Sequence, residues 1–187
     1  DLPLGSFRVG QWRQPFGLDA LTSVKELTFF ERALPFAFLP FRQIGAGLSD
    51  HNEDLGLTWA NSLFRYPTDP FGGNVGDDGG YGFSGRITWL ILDGDNHQTM
   101  HLGGNYCFAD PANDLLRFFN TPELFVGETA GSLAPVGVPN NLPPFVDTGL
   151  MPSHNFNLYG LELAGTFGLL FAQSELHLMS VNLIGMP

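Results

Sequence analysis

The sequence predicts an all-β fold, and three observations lead to this prediction. Apolar residues recur at every second position through much of the chain, which is the period of a β-strand, whereas amphipathic helical periodicity is nearly absent. Glycine (24 residues) and proline (14 residues) interrupt the alternating runs without a three-residue period, as turns do. Charged residues make up only 14% of the 187-residue chain, against about 25% in an ordinary soluble domain.

The first third of the chain contains three predicted strands and one predicted helical stretch. Strands are expected at residues 5–16, 42–49 and 55–65, where the alternation is present but weak. Residues 21–34 have helical character. Pro35 ends this stretch, because proline lacks the amide hydrogen that a continuing helix needs.

The clearest strand pair lies in the middle of the chain. Two alternating runs, at residues 80–92 and 100–108, flank a turn rich in aspartate and glycine, which predicts a β-hairpin. One predicted face of the pair is apolar and carries Tyr81, Phe83, Ile87, Trp89, Ile91, Met100, Leu102, Tyr106 and Phe108. The opposite face is small or polar and carries Gly82, Ser84, Arg86, Thr88, His101, Gly103, Asn105 and Cys107.

A second pair of alternating runs lies near the C-terminus, at residues 159–167 and 170–178, with a turn at Gly168. A weaker strand is predicted at residues 115–122, which brings the total to about eight strands, mostly antiparallel. Residues 129–144 are rich in glycine, proline and asparagine and nearly uncharged, so they are predicted to form a long loop.

The two faces of these strands admit two architectures. In a soluble secreted β-sandwich acting as a binding module, the apolar faces would form a core between two sheets. In a transmembrane β-barrel, the apolar faces would contact lipid and the small or polar faces would line a wet interior. Apolar runs of about 10 residues with aromatics near their ends fit barrel strands, and no run reaches the ~20 residues of a membrane-spanning helix. The alternation alone leaves both architectures open.

Charge and cysteine content exclude several functional classes. The 8 Lys and Arg residues against 19 Asp and Glu residues give a net charge of −11, which argues against a nucleic-acid partner. The single cysteine, Cys107, excludes an intrachain disulfide. Two acidic clusters, residues 50–54 and the group Asp93, Asp95, His97 and His101, are interpreted as solvated turns rather than metal sites. We expect no cofactor and, since no catalytic motif is present, no enzymatic activity.

One part of the sequence carries a more specific pattern. Residues 7–19 read FRVGQWRQPFGLD and are followed by LTS at 21–23, TFFERALP at 28–35 and RQIG at 42–45. In this order the segments resemble the phosphate-selective porin O and P family. Weaker matches follow in the same order and extend the resemblance across nearly the whole chain, at residues 85–89, 101–103, 117–123, 147–149 and 159–164.

The resemblance implies a channel in the bacterial outer membrane, built as a 16-stranded antiparallel barrel and assembled as a homotrimer. Its partners would be the lipid bilayer and the small ions or hydrophilic solutes that diffuse through it. Because about eight strands cannot close such a barrel, we expect residues 1–187 to be a single partial barrel domain, an internal fragment of about half of a longer porin.

The resemblance also implies that residues 21–40 fold inward as a constriction loop. Its candidate pore residues are Thr22, Ser23, Lys25, Glu26, Glu31 and Arg32. In one interpretation Lys25 and Arg32 contact a passing anion and the two hydroxyls donate hydrogen bonds to it. In the other, Glu31 and Arg32 pair with the barrel wall and hold the loop.

Four more charged residues, Arg8, Arg86, Glu162 and Glu175, are expected on the interior face of their strands. The two arginines either pass an anion along the pore or pair with the two glutamates. The resemblance implies phosphate or other anions as solutes. The net charge of −11 and the single lysine, Lys25, instead favour cations, so the sequence leaves the selectivity open.

Overall fold

A computed structural model describes residues 5–67, 79–94, 98–120 and 144–185 of the chain. The strands are β1 (Ser6–Arg13), β2 (Arg42–Asn52), β3 (Leu57–Arg65), β4 (Tyr81–Gly94), β5 (Gln98–Asp110), β6 (Leu115–Leu116), β7 (Phe119–Asn120), β8 (Val146–Asp147), β9 (Met151–Phe167) and β10 (Leu170–Leu183). The helical elements are α1 (Leu18–Leu21) and two 3₁₀ helices (Leu34–Phe38 and Ala112–Asp114).

Seven long strands form one antiparallel sheet in the order β1-β2-β3-β4-β5-β9-β10, so neighbours in the sheet are also neighbours along the chain apart from the short strands between β5 and β9. The short strand β6 pairs with β9, and β7 pairs with β8 in a separate ribbon. The prediction of an antiparallel all-β fold is therefore confirmed. In the described part of the chain β1 and β10 lie at the two edges of the sheet and do not pair with each other.

The two faces of the sheet differ as the alternation predicts. Residues paired across β3, β4, β5, β9 and β10 share a face, so the register can be followed from strand to strand. The apolar face is exposed: Ile87 has 56% of its surface accessible, Trp89 48% and Leu178 60%. Ser84 and Glu162, on the opposite face, are buried. We call these the outer and the inner face.

This exposure decides between the two architectures left open by the alternation. In a β-sandwich the aromatic face formed by Tyr81, Phe83, Ile87 and Trp89 would be covered by a second sheet. Among the described residues nothing covers it, and all the chain that packs on the sheet lies on the inner face. The exposed outer face contradicts the sandwich and fits a wall that contacts lipid.

The predicted helix at residues 21–34 is wrong. Only α1 forms, and turns follow until the first 3₁₀ helix, in which Pro35 lies at the start rather than beyond the end of a helix. The physical reason is competition for backbone carbonyls. The guanidinium of Arg13 donates to the carbonyls of Leu21 (3.2 Å) and Thr22 (2.9 Å), which a continuing helix would need as acceptors for its own amides.

The predicted strand at residues 115–122 is divided between β6 and β7, and residues 121 and 122 lie outside the described residues, as do 129–143 of the predicted long loop. Between β6 and β7, Arg117 donates two hydrogen bonds to Asp147 of β8, at 2.9 and 3.0 Å. These bonds lower the pKa of the Asp147 carboxyl.

None of the described helical elements could serve as a membrane-spanning helix.

The apolar core lies on the inner face, at the end of the sheet where β3 ends and β9 begins. Aromatic rings dominate it: Phe118 and Phe156 meet edge to face at 5.5 Å, and Tyr66 meets Phe156 at 5.4 Å. Phe16 reaches this core from the segment that connects β1 to β2, and Leu116 reaches it from β6. The core therefore joins the inner face of the sheet to the chain that crosses it.

Replacing Leu161 with arginine tests whether the outer face contacts lipid. Leu161 lies near the middle of β9 and is 59% exposed, so in water the change would cost little. On the lipid face near the bilayer midplane an arginine costs roughly 2–4 kcal/mol. We expect Leu161→Arg to lower the free energy of unfolding from phospholipid vesicles by that amount.

The matched control is Leu55→Arg, because Leu55 is also 59% exposed but lies in the turn between β2 and β3. It should leave the unfolding free energy nearly unchanged. Equal effects of the two substitutions would contradict a lipid-facing outer surface.

Candidate functional site

Residues 14–41, which connect β1 to β2, cross the inner face of the sheet, and we call them the inner segment. Four different strands hold its beginning, three of them through side chains and β2 through a backbone carbonyl. Gln14 donates to the carbonyl of Gln43 on β2 (3.0 Å) and accepts from Ser62 on β3 (2.5 Å). Ser84 on β4 donates to the carbonyl of Pro15 (3.0 Å). The amide of Gly17 then donates to the side-chain carbonyl of Asn105 on β5 (3.1 Å).

Small residues on the inner face make room for this crossing. Phe16 is 1% exposed, and its ring lies over Gly160 of β9, where an added Cβ would stand 3.2 Å from the ring. His177 of β10 pairs with Gly160 in the register, and its ring meets that of Phe16 at 5.5 Å. The glycine allows the inner segment to approach the sheet closely.

Glu162 of β9 is a buried charge on the inner face whose carboxylate is bonded to two other strands. Only 1% of the residue is exposed, yet its carboxylate accepts from both Nε and Nη2 of Arg86 on β4, the former at 3.2 Å. On β5, His101 Nε2 lies 2.7 Å from Oε1 and Asn105 donates to Oε2 at 3.3 Å. A buried carboxylate needs such partners, because desolvating an unpaired charge is costly.

The register requires a glycine opposite Glu162. Gly103 is its direct neighbour on β5, and a Cβ at that position would stand 2.6 Å from Glu162 Cγ. Without a side chain at Gly103, the carboxylate can lie flat across β5 and reach Arg86 two strands away.

Glu175 of β10 holds the next two residues of the inner segment. Its Oε1 accepts the amide hydrogens of Leu18 and Asp19, the latter at 3.1 Å. These amides begin α1 and have no acceptor within the helix, so the carboxylate supplies what the helix lacks. Together with Asn105, Glu175 fixes three consecutive amides of the inner segment to two strands of the wall.

Arg32 binds back to the inner segment itself. Its Nε donates to the carbonyl of Asp19 (3.1 Å) and its Nη2 to that of Thr22 (3.2 Å), while the guanidinium lies 5.0 Å from the centre of the Phe36 ring. Only 9% of Arg32 is exposed. These bonds connect Arg32 to the backbone of the inner segment, while its pairing with the barrel wall and its contact with a passing anion both stay predictions.

A cavity of ≈ 960 Å³ lies between the inner segment and the inner face of β9 and β10, and we call it the carboxylate cavity. The titratable residues that line it are Asp19, Glu26, Glu31, Glu175 and His101. No lysine or arginine among the described residues lines it. The titratable lining of the cavity is therefore mainly acidic.

The predicted site residues fall into two groups. Thr22, Glu26, Glu31 and Glu175 line the carboxylate cavity, although the hydroxyl of Thr22 already donates to the carbonyl of Leu18 (2.8 Å). The others lie elsewhere: Ser23 and Lys25 are exposed on the inner segment, Arg32 is buried within it, Arg8 is exposed on the inner face of β1, and Arg86 and Glu162 pair beneath the segment.

Asn105, Asp19 and His177 take part in the site but were not predicted from the sequence, and His101 was considered only for a metal. Alternation places Asn105, His101 and His177 on the inner face, which is a usable signal. It does not say which of them meets Glu162 or the inner segment, because this depends on the register between strands. Asp95 and His97 lie outside the described residues. Within the described part of the chain, no group of three histidine, cysteine, aspartate or glutamate side chains is placed to hold a metal ion.

Comparison with known families gives one match. The family model described as phosphate-selective porin O and P matches residues 3–186, nearly the whole chain. No curated protein matches the sequence.

Removing the partner of the buried carboxylate tests the Glu162 network. We expect Arg86→Met to lower the free energy of unfolding by about 3–5 kcal/mol, because it leaves Glu162 charged and buried. Adding Glu162→Gln to this variant should recover part of the loss, since it removes the charge. Urea unfolding followed by tryptophan fluorescence measures both.

Arg117→Met is the control for Arg86→Met, because Arg117 also donates two hydrogen bonds to a carboxylate but at the surface. It should have a much smaller effect. A double variant less stable than Arg86→Met would show that the charge of Glu162 is not the cause.

Amide hydrogen exchange tests how the inner segment is held. We expect Glu175→Ala to speed exchange at Leu18 and Asp19 by about 10- to 100-fold, because a hydrogen bond to a charged acceptor contributes about 1.5–3 kcal/mol. Asn105→Ala should instead speed exchange at Gly17. If each variant accelerates all three amides equally, the segment is not held by these separate bonds.

Proposed function

The chain belongs to the phosphate-selective porin O and P family and is therefore an outer-membrane porin, and we propose that small ions and hydrophilic solutes diffuse passively through its channel past the inner segment. In this proposal residues 21–40 form the constriction. The observation that carries it is the two-sidedness of the sheet. The outer face exposes apolar side chains, and the inner segment with its charged residues crosses the inner face.

Hydrocarbon and water impose opposite requirements on the two faces of such a wall. Polar groups cannot face lipid without partners, so a spanning sheet keeps its charges inside. Arg86, Glu162 and Glu175 lie on the inner face of their strands, in agreement with this requirement. Assembly as a homotrimer of the full-length protein stays a prediction of the resemblance.

The carboxylate cavity supports a preference for cations over phosphate. Selectivity at a narrow point depends on the charges and donors that line it. Here the carboxylates of Asp19, Glu26, Glu31 and Glu175 face the cavity. The nearby guanidinium of Arg32 donates to backbone carbonyls, and that of Arg86 is paired with Glu162. A phosphate ion entering this space would meet acceptors and negative charge.

The reversal potential in planar lipid bilayers tests both the channel and its preference. In a KCl gradient we expect a measurable conductance with the sign of a cation-preferring pore, and no block by inorganic phosphate. Glu26→Gln should lower the ratio of cation to anion permeability about five- to ten-fold, because one charge about 7 Å from the ion stabilises a cation and destabilises an anion by about 0.6 kcal/mol each in water.

The matched control is Glu53→Gln, which also removes an exposed carboxylate, but one in the turn between β2 and β3 that does not line the cavity. It should leave the ratio unchanged. Anion preference or phosphate block would overturn the proposed selectivity, and the absence of conductance would overturn the channel.

A further inference from the structure

We propose that His101 is a selectivity-determining residue of the carboxylate cavity, and that its change of charge with pH sets how strongly the channel prefers cations. The inference rests on the proposed function, since it concerns the ions that pass the inner segment. His101 lies on β5. Among the described residues that line the cavity, it is the one titratable residue that is not an acid. Its protonation therefore adds a positive charge to an otherwise acidic lining.

The imidazole of His101 contacts both the cavity and the buried carboxylate of Glu162. Of its side chain 24% is exposed, and Nε2 lies 2.7 Å from Glu162 Oε1. Neither of its ring nitrogens is both buried and without a partner, whereas both nitrogens of His177 are. His177 also does not line the carboxylate cavity. Of these two histidines, His101 is the one whose charge acts on an ion in the cavity.

The charges next to His101 leave its proton uncompensated. Arg86 donates two hydrogen bonds to Glu162, so the charges of these two residues cancel each other. A neutral His101 adds nothing to this pair, whereas a protonated His101 gives the group of three a net positive charge. Histidine is the side chain that gains its charge between pH 8 and pH 5. Because both ring nitrogens of a protonated histidine are donors, the bond to Glu162 is kept and the ring does not have to move.

Other titratable groups face His101 from three strands and from the inner segment. They are Arg86 of β4, Glu162 of β9, Glu175 of β10, and Asp19, Glu26 and Glu31 of the inner segment. Carboxylates also take up protons as the pH falls, so a loss of cation preference on acidification is not by itself specific to His101. The contribution of His101 is the part of the pH response that disappears when this residue alone is replaced.

Reversal potentials in planar lipid bilayers, measured in a KCl gradient at pH 8 and at pH 5.5, test the inference. On acidification the ratio of cation to anion permeability should fall about five-fold more in the wild type than in His101→Gln. The reason is that one positive charge about 7 Å from the ion opposes a cation and favours an anion. Glutamine takes up no proton, but its amide can still donate to Glu162. At pH 8 the ratio of His101→Gln should therefore equal that of the wild type.

A variant with a permanent charge gives the opposite result and covers the case in which His101→Gln fails to fold. His101→Lys is positive at both pH values, so at pH 8 its permeability ratio should already lie about five-fold below that of the wild type. A merely structural role of His101 would not produce a difference of opposite sign between the two variants at pH 8 and pH 5.5.

His51→Gln is the matched control. His51 also lies close to a glutamate, with 3.6 Å between its Nε2 and Glu53 Oε1, but it belongs to β2, three strands from β5, and does not line the cavity. This variant should respond to pH as the wild type does. A full wild-type pH response in both His101 variants, or its equal loss in His51→Gln, would overturn the inference and leave the channel standing. Absence of conductance would overturn the channel and the inference with it.

Discussion

The buried carboxylate of Glu162 is the interaction on which the inner face depends. It accepts from Arg86 on β4 and from His101 and Asn105 on β5, so one side chain of β9 joins three strands. Asn105 in turn accepts the amide of Gly17 and so transmits this order to the inner segment. A carboxylate in this position demands its partners, because an unpaired buried charge is far more costly than an apolar residue. The bonds that satisfy Glu162 therefore fix the positions of β4, β5 and β9 and, through Asn105, the position of the inner segment.

The packing of the inner segment against the sheet also depends on positions of the inner face that have no side chain. At Gly103 the absence of a side chain lets Glu162 lie across β5, and at Gly160 it lets the ring of Phe16 reach the backbone. The inner face thus combines glycines with a few polar anchors, while the outer face carries bulky apolar side chains. The low charge of the chain has the same origin: few positions of a two-faced wall tolerate a charge, and those that do are mostly paired.

The alternation of residues 81–89 and 100–108 predicted both faces of β4 and β5 correctly, since side-chain direction in a strand is a local property with a period of two. The partners of Glu162 could not be predicted in the same way. Arg86 lies 76 residues away in sequence, and the pairing depends on the register of the strands between them. The predicted helix at residues 21–34 failed for a related reason. The guanidinium of Arg13, outside that stretch, takes the carbonyls on which the helix depends, and no local propensity records such competition.

The attachment of α1 to Glu175 has a consequence for the order of folding. The amide of Leu18 and the carboxylate that accepts it are 157 residues apart along the chain. Contacts of such separation form late, because loop-closure entropy must be overcome before they contribute. The inner segment precedes most of the strands in sequence, but its hydrogen bonds to Glu175 can form only when β10 has joined the sheet. The strand that extends the sheet beyond β9 therefore also attaches the inner segment to it.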